Sequence, residues 1–382
     1  MNFLKSAAEA PEKITKQQAL VLVTLAMLFS ASTAFLGASI SLIAAGVAAA
    51  IIFFVFHFEY GIYLLILLTP FVPLQLVVRE YNAPVADIFA LIIFCSWMIR
   101  IFLAQKKNFV QEIITNSPGI VFFLLFAAVS SLSFLHTPDL WLSVKYFLRP
   151  ILFFYIMFVV LPYTGIDDQK TLKNAVGVSV ALGLIVACMG LFSLLFPESG
   201  SYIWRRAIPI SIFGTYPLGT NHNLIAETLI TIIPLAFAFA HTAKNALQKK
   251  YFMLAGLFMA VICLLTFSRA GWVVLFLQLL IFLILYSRNN LKRLAKHLVL
   301  FALSIIPLTS AMYMFSQTFF VQSSNNNRLL LTETAMAAWN IHPWIGNGYN
   351  TFINFVAENT VFLIEFGAPL DSHGVVQKLL VE

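Results

Sequence analysis

Charge is what this chain has least of. Only 10% of its 382 residues are Asp, Glu, Lys or Arg, against about a quarter in an average soluble domain. Cysteine is scarce as well. Cys95, Cys188 and Cys263 each fall inside an apolar run, with no CxxC pair and no His-rich spacing. That excludes a secreted disulfide scaffold and leaves three small packing residues. The formal charge of +7 does not gather into a basic stripe, which excludes a nucleic-acid binder. What is present is apolar: 60% of the residues are hydrophobic, Phe alone occurs 38 times, and the mean hydropathy is +0.90. No single water-soluble core hides that much apolar surface, whereas a bilayer does. The composition implies an all-α polytopic membrane protein.

A membrane helix needs about 20 mostly apolar residues. Such runs occur at 19–36, 38–56, 61–78, 85–103, 118–135, 146–162, 174–196, 222–240, 251–267, 270–287 and 297–315, eleven in all. Gly37, Pro84, Pro118, Pro138, Pro162 and Pro197 punctuate them. A twelfth run begins near His373 and reaches only Glu382, so the chain is expected to be truncated or to lack its last helices. Lys5, Lys13 and Lys16 before the first run and the small residues Ser32 to Ala34 resemble a signal peptide. Glu9 and Glu12 dilute that charge, and a second apolar run follows at once, so an uncleaved span is expected.

Lys and Arg set orientation. With the N-terminus in the cytoplasm, the inner segments hold twelve Lys and three Arg, and the outer segments hold six Arg and two Lys. Lys serves as a simple topogenic charge, while the planar Arg fork grips phosphate oxygens at two points. Outer arginines retained on a face poor in positive charge suggest an anionic ligand there, beside the plainer role of anchoring to headgroups. Charges within the spans are nearly absent: Asp87, Arg149 and Glu227 lie close to the expected outer ends. An ion-coupled transporter keeps such groups deep in its helices.

Three outer segments are polar. The loop from Pro197 to Thr220 carries Trp204, Arg205 and Arg206 and enters the eighth run through Gly219, Thr220, Asn221, His222 and Asn223; Asn221 or Asn223 suits a helix cap. The turn Thr266 to Trp272 contains Ser268, Arg269 and Gly271. Its Arg either snorkels to the interface or points at a lipid-linked phosphate. The third segment, 57 residues from Ser316 to Ser372, is longer than ordinary connections. In it, Asn325 to Asn327 are expected to cap a short interfacial helix from Arg328 to Asn340, with Leu329, Leu331, Ala335, Met336 and Trp339 on its apolar side. His342-Pro343 ends that helix, and a turn from Trp344 to Gly348 follows.

These segments, in this order, resemble the O-antigen ligase and polymerase superfamily of bacterial glycan-transferring membrane proteins. The resemblance rests on Gly219 to Asn223, on Ser268 to Gly271, on Arg328 leading to His342-Pro343 and Gly346 to Gly348, and on His373 with Gln377, Leu379 and Glu382. It divides the chain into N-terminal membrane helices at 1–196 and an O-antigen ligase-like region at 197–382 that includes the outer loop 316–372. Gly374 stands where an Asn is common in the family.

The resemblance implies transfer of a glycan from undecaprenyl diphosphate to an acceptor hydroxyl, without metal or cofactor, on the periplasmic side of the bacterial inner membrane. The expected partners are the lipid-linked glycan donor, a lipid A-core or glycan acceptor, and membrane lipids. His is the side chain whose ordinary pKa suits a general base toward a sugar hydroxyl, and fixed Arg forks stabilise a leaving diphosphate. His373 is therefore the expected base, with Arg269 and Arg328 on the diphosphate and Arg205 and Arg206 as further phosphate contacts. An O-antigen or exopolysaccharide polymerase is the alternative within the superfamily, and a solute or polysaccharide transporter is the alternative outside it.

Overall fold

The computed structural model describes residues 38–71, 73–78, 81–104, 117–166, 168–196, 206–212, 214–287, 319–371 and 374–382, with single residues and short pieces between 105 and 116 and between 288 and 318. In chain order the elements are α1 (Ala38–Phe56), α2 (Phe58–Leu68), the hairpin β1 (Gln75–Val78) and β2 (Tyr81–Pro84), α3 (Val85–Leu103), α4 (Ile120–Ser131) and α5 (Leu140–Gly165). There follow α6 (Gln169–Leu195), α7 (His222–Thr242), α8 (Ala246–Leu265) and α9 (Arg269–Ser287). The last are α10 (Phe319–Trp339), α11 (Phe352–Glu358), α12 (Thr360–Phe366) and α13 (Val375–Val381). The chain divides into two compact units, the first being Met1–Lys107 with Thr164–Val299 and the second Asn108–Tyr163 with Leu300–Glu382.

Among the described residues, five helices are long and apolar enough to cross a membrane, namely α3, α5, α6, α7 and α8. The bent pair of α1 and α2, angled at 114°, makes a sixth if counted as one span. Eleven spans were expected, and the difference has local causes. The run at 61–78 is not one helix: Pro70 and Pro73 remove backbone donors, α2 stops at Leu68, and the chain turns into the hairpin, with Val78 opposite Tyr81. The apolar helices at Ile120–His136 and Arg269–Leu285 are shorter than a full span. The run at 19–36 and most of 297–315 lie outside the described residues.

In the first unit, α7, α8 and α9 follow one another through short connections, while residues 196–221 separate α6 from α7. Asn221 caps α7 by accepting from the Asn223 N–H at 2.9 Å, and Asn245 caps α8 by accepting from the Leu247 N–H at 2.9 Å. In lipid no hydrophobic drive separates helix from solvent, so close van der Waals packing through small residues holds a bundle. A Cβ on Gly183 would collide with Met259 and Ile232, one on Gly190 would meet Ile262 Cγ2 at 2.8 Å, and one on Gly256 would meet the Phe237 ring at 2.9 Å. Gly183 and Gly190 are two turns apart on one face of α6, and Ala187 between them is fully buried.

The second unit is built differently. Its longest helix, α5, contains two π-helical stretches, Leu148–Phe153 and Ile156–Val160. In the 316–372 loop the sequence predicted a cap at Asn325 to Asn327, but α10 begins at Phe319, so these residues are interior. The buried face is also rotated from the expected one. Leu331, Ala335 and Ala338 pack with Phe352, Val356, Phe362 and Val381, whereas Leu329 and Met336 are exposed. Tertiary packing has overridden the local Asn signal.

Candidate active site

In the first unit, two of the singled-out arginines stand at the same end of the bundle, where α6 and α8 finish and α7 and α9 begin. The turn between α8 and α9 is pinned at every residue. The Thr266 hydroxyl donates to the Cys263 C=O at 2.7 Å and accepts from the Ser268 N–H at 3.2 Å. Phe267 takes the left-handed conformation, φ 55°. The Ser268 hydroxyl accepts from the Gly271 N–H at 3.3 Å, which caps α9, and the Trp272 indole N–H donates to the Leu264 C=O at 2.8 Å. Gly271 lets α9 approach α7, since a Cβ there would meet Ala226 Cβ at 3.0 Å.

Arg269, half-buried, is thus the first residue of a helix whose position is over-determined. A guanidinium at a helix N-terminus adds to the positive end of the macrodipole, a combination suited to an anion. Arg206 is brought to the same turn by backbone: the Ala207 N–H donates to the Leu265 C=O at 2.8 Å, and the Ile208 N–H donates to the Ser193 hydroxyl at 3.0 Å. Arg206 itself is exposed. His222 opens α7 at this end as well. Arg205 lies outside the described residues.

In the second unit, α13 docks along α10. The Gln377 amide donates to the Thr332 hydroxyl at 2.7 Å and to the Arg328 C=O at 3.4 Å. Arg328, exposed on α10, therefore stands beside the first turn of α13. His373 lies outside the described residues, while its neighbours Asp371 and Gly374 are described, and Gly374 is the residue from which α13 starts. The far end of α13 is clamped by Asn347. Its side-chain amide donates to Ala338 C=O at 3.1 Å and Val381 C=O at 3.0 Å, and its backbone N–H donates to Val381 C=O at 2.8 Å.

Gly348, at φ 97°, presses against Thr137, and the Ser143 hydroxyl donates to the Tyr349 C=O at 2.8 Å. Burial pushes the Tyr349 phenol above its ordinary range, so it stays protonated. The sequence reading singled out the Gly-Asn-Gly turn only as a turn. That Asn347 ties three segments together has one sequence signal, a polar side chain between two glycines. Lys378, Asp371 and Glu382 were not singled out as a charge cluster. Lys378 Nζ lies 2.8 Å from Asp371 Oδ2 and 3.9 Å from Glu382 Oε1. Among the described residues, no three His, Cys, Asp or Glu side chains group closely enough to hold a metal ion.

The pinned Ser268-Arg269-x-Gly271 turn and the Arg328 helix with α13 against it fall within one stretch of sequence that a family model recognises. Residues 254–382 match the O-antigen ligase family. The O-antigen ligase match begins inside α8 and runs through α13, so it contains Arg269, Arg328 and His373 and stops short of Arg205 and Arg206. No curated protein and no solved structure matches the chain.

Proposed function

We propose that this chain transfers a glycan from undecaprenyl diphosphate to an acceptor hydroxyl, as an O-antigen ligase acting on lipid A-core. The observation that carries the proposal is the O-antigen ligase match over residues 254–382. The contact of α13 with α10 supports it, because the helix that follows His373 is hydrogen-bonded to the turn that bears Arg328.

In the proposed reaction His373 takes the proton of the acceptor hydroxyl as its oxygen forms a bond to the anomeric carbon. The bond from that carbon to the diphosphate oxygen breaks, its electron pair stays on the diphosphate, and the lipid diphosphate leaves. Arg269 and Arg328 stabilise the charge gained by the leaving group. Arg205 and Arg206 serve as further phosphate or acceptor contacts. The N-terminus is placed in the cytoplasm, the orientation that the Lys and Arg partition favours when eleven spans are counted, and the reaction is placed on the periplasmic face of the inner membrane.

A lipopolysaccharide gel from a strain lacking the gene, complemented with wild type or His373→Ala, tests this. Loss of the whole ladder with accumulation of lipid-linked polymer is the expected phenotype, restored by wild type and not by the variant. A core bearing one repeat unit would instead identify a polymerase. An unchanged ladder would remove the ligase reading. Arg269→Lys and Arg328→Lys keep charge and lose the fork, and each is expected to lower transfer by about tenfold or more, in line with the ~1.5–3 kcal/mol of a charge-assisted hydrogen bond.

A further inference from the structure

The second unit contains a groove that the transfer step leaves without a role. Its volume is about 640 Å³, within the roughly 300–1,000 Å³ of small-ligand sites. Tyr146, Trp339, Trp344, Tyr349, Lys378 and Glu382 contribute to its lining. One wall comes from the π-helical part of α5, and such turns recur at functional sites.

The aromatic walls are fixed before any ligand arrives. The Trp339 indole N–H donates to the Pro343 C=O at 3.1 Å, which sets the ring plane. Tyr349 packs between Phe134 and Phe147, with ring centroids 6.0 and 5.6 Å away. Trp344 is 92% exposed, an unusual position for a large rigid ring unless something covers it.

The polar end is equally defined. Lys378 is held between Asp371 and Glu382. The Glu382 side chain is only 5% exposed, and its carboxylate receives the backbone N–H groups of Asn350 and Phe352. Its Oε1 nevertheless has no hydrogen-bond partner among the described residues. A buried carboxylate oxygen left unsatisfied is costly, and a groove shaped for an acyl chain gains nothing from one. A pyranose ring matches both ends. Its C–H face is apolar and lies flat on aromatic rings, while its hydroxyls both donate and accept.

We propose that this groove is a saccharide subsite. One pyranose unit lies against Trp344 and Trp339, one of its hydroxyls accepts from Lys378 Nζ, and another donates to the Glu382 carboxylate. The proposal rests on the reading of the chain as a glycan transferase, and the sugar comes either from the acceptor or from the lipid-linked donor.

Saturation-transfer NMR on the full chain in lipid nanodiscs tests the subsite without requiring turnover. One arm uses delipidated core oligosaccharide, the other the glycan released by mild acid from the lipid-linked donor. Binding of one of them to wild type is expected, weakened at least tenfold in Trp344→Ala and in Glu382→Gln; the arm that binds names the source. Trp344 is exposed and Gln is isosteric with Glu, so both variants are expected to fold. No saturation of either glycan, or unchanged binding in both variants, overturns the subsite. So does Trp344-dependent fluorescence that brominated phospholipid quenches and neither glycan protects, since lipid then fills the groove. Transfer in the complemented strain without glycan binding would remove the subsite and leave the transferase reading standing. Binding without transfer would do the reverse.

Discussion

The two units are held together by different physics. In the first, α6, α7 and α8 meet through glycines and alanines, and the contacts are van der Waals contacts between chains brought close. In the second, short helices and turns are stitched by side chains that reach backbone carbonyls, with Asn347 and Ser143 as examples. The first arrangement suits helices surrounded by lipid, where polar groups are confined to the ends. The second suits a segment that must hold irregular chain in place next to a ligand. The candidate arginines follow this division. Arg269 is set by a rigid turn at a bundle end, whereas Arg328 sits on a helix whose register depends on its partner α13.

The comparison can be broken by substitutions that offend one kind of packing only. The largest effect is expected from Gly183→Val in the first unit. The added carbons collide with Met259 and Ile232, and overpacking of this kind costs about 1–3 kcal/mol. Thermal unfolding in detergent should show a lowered midpoint with transfer activity lost in proportion to folded protein. Asn347→Ala in the second unit comes next. It orphans the side-chain contacts to Ala338 and Val381 at a cost of ~1–3 kcal/mol, and limited proteolysis should cut first between Gly374 and Glu382. Gln377→Leu is the smallest, about 1 kcal/mol for one exposed hydrogen-bond donor; it should lower transfer more than it lowers the midpoint, because α13 stays folded while its register on α10 loosens. If Gly183→Val proves neutral, small-residue packing does not hold the first unit. If Asn347→Ala leaves proteolysis unchanged, the clamp does not hold α13.

Much of the helical content was legible from hydropathy alone. The run at 85–103 coincides with α3, those at 174–196, 222–240 and 251–267 fall on α6, α7 and α8, and Asn221 caps α7. Hydropathy fails where a chain stays apolar while it turns. The 61–78 run contains Pro70 and Pro73, which matter more to the backbone than the apolar residues around them. The Asn325 to Asn327 cluster misled for the opposite reason, since a strong local cap signal was outweighed by the core that forms on Leu331, Ala335 and Ala338. For the site, residue type and order singled out Arg269 and Arg328; the Ser-Arg-x-Gly turn at Arg269 is a local pattern, whereas the helix start expected at Arg328 gave way to a helix that begins at Phe319. The Lys378, Asp371 and Glu382 cluster and the Asn347 clamp were not legible, because they depend on which segments meet in space.

The most direct test is reconstitution. Purified full chain in proteoliposomes, supplied with undecaprenyl-diphosphate-linked glycan and lipid A-core and with no nucleotide sugar, should form ligated product at a rate that falls by about 10²–10⁴-fold in His373→Ala, the usual contribution of a general base. Donor binding should be retained in the same variant. Product formed by His373→Ala at near the wild-type rate, from protein with an unchanged unfolding midpoint, would contradict the assignment of His373. No product from wild type with either lipid A-core or a second lipid-linked glycan as acceptor would contradict glycan transfer itself.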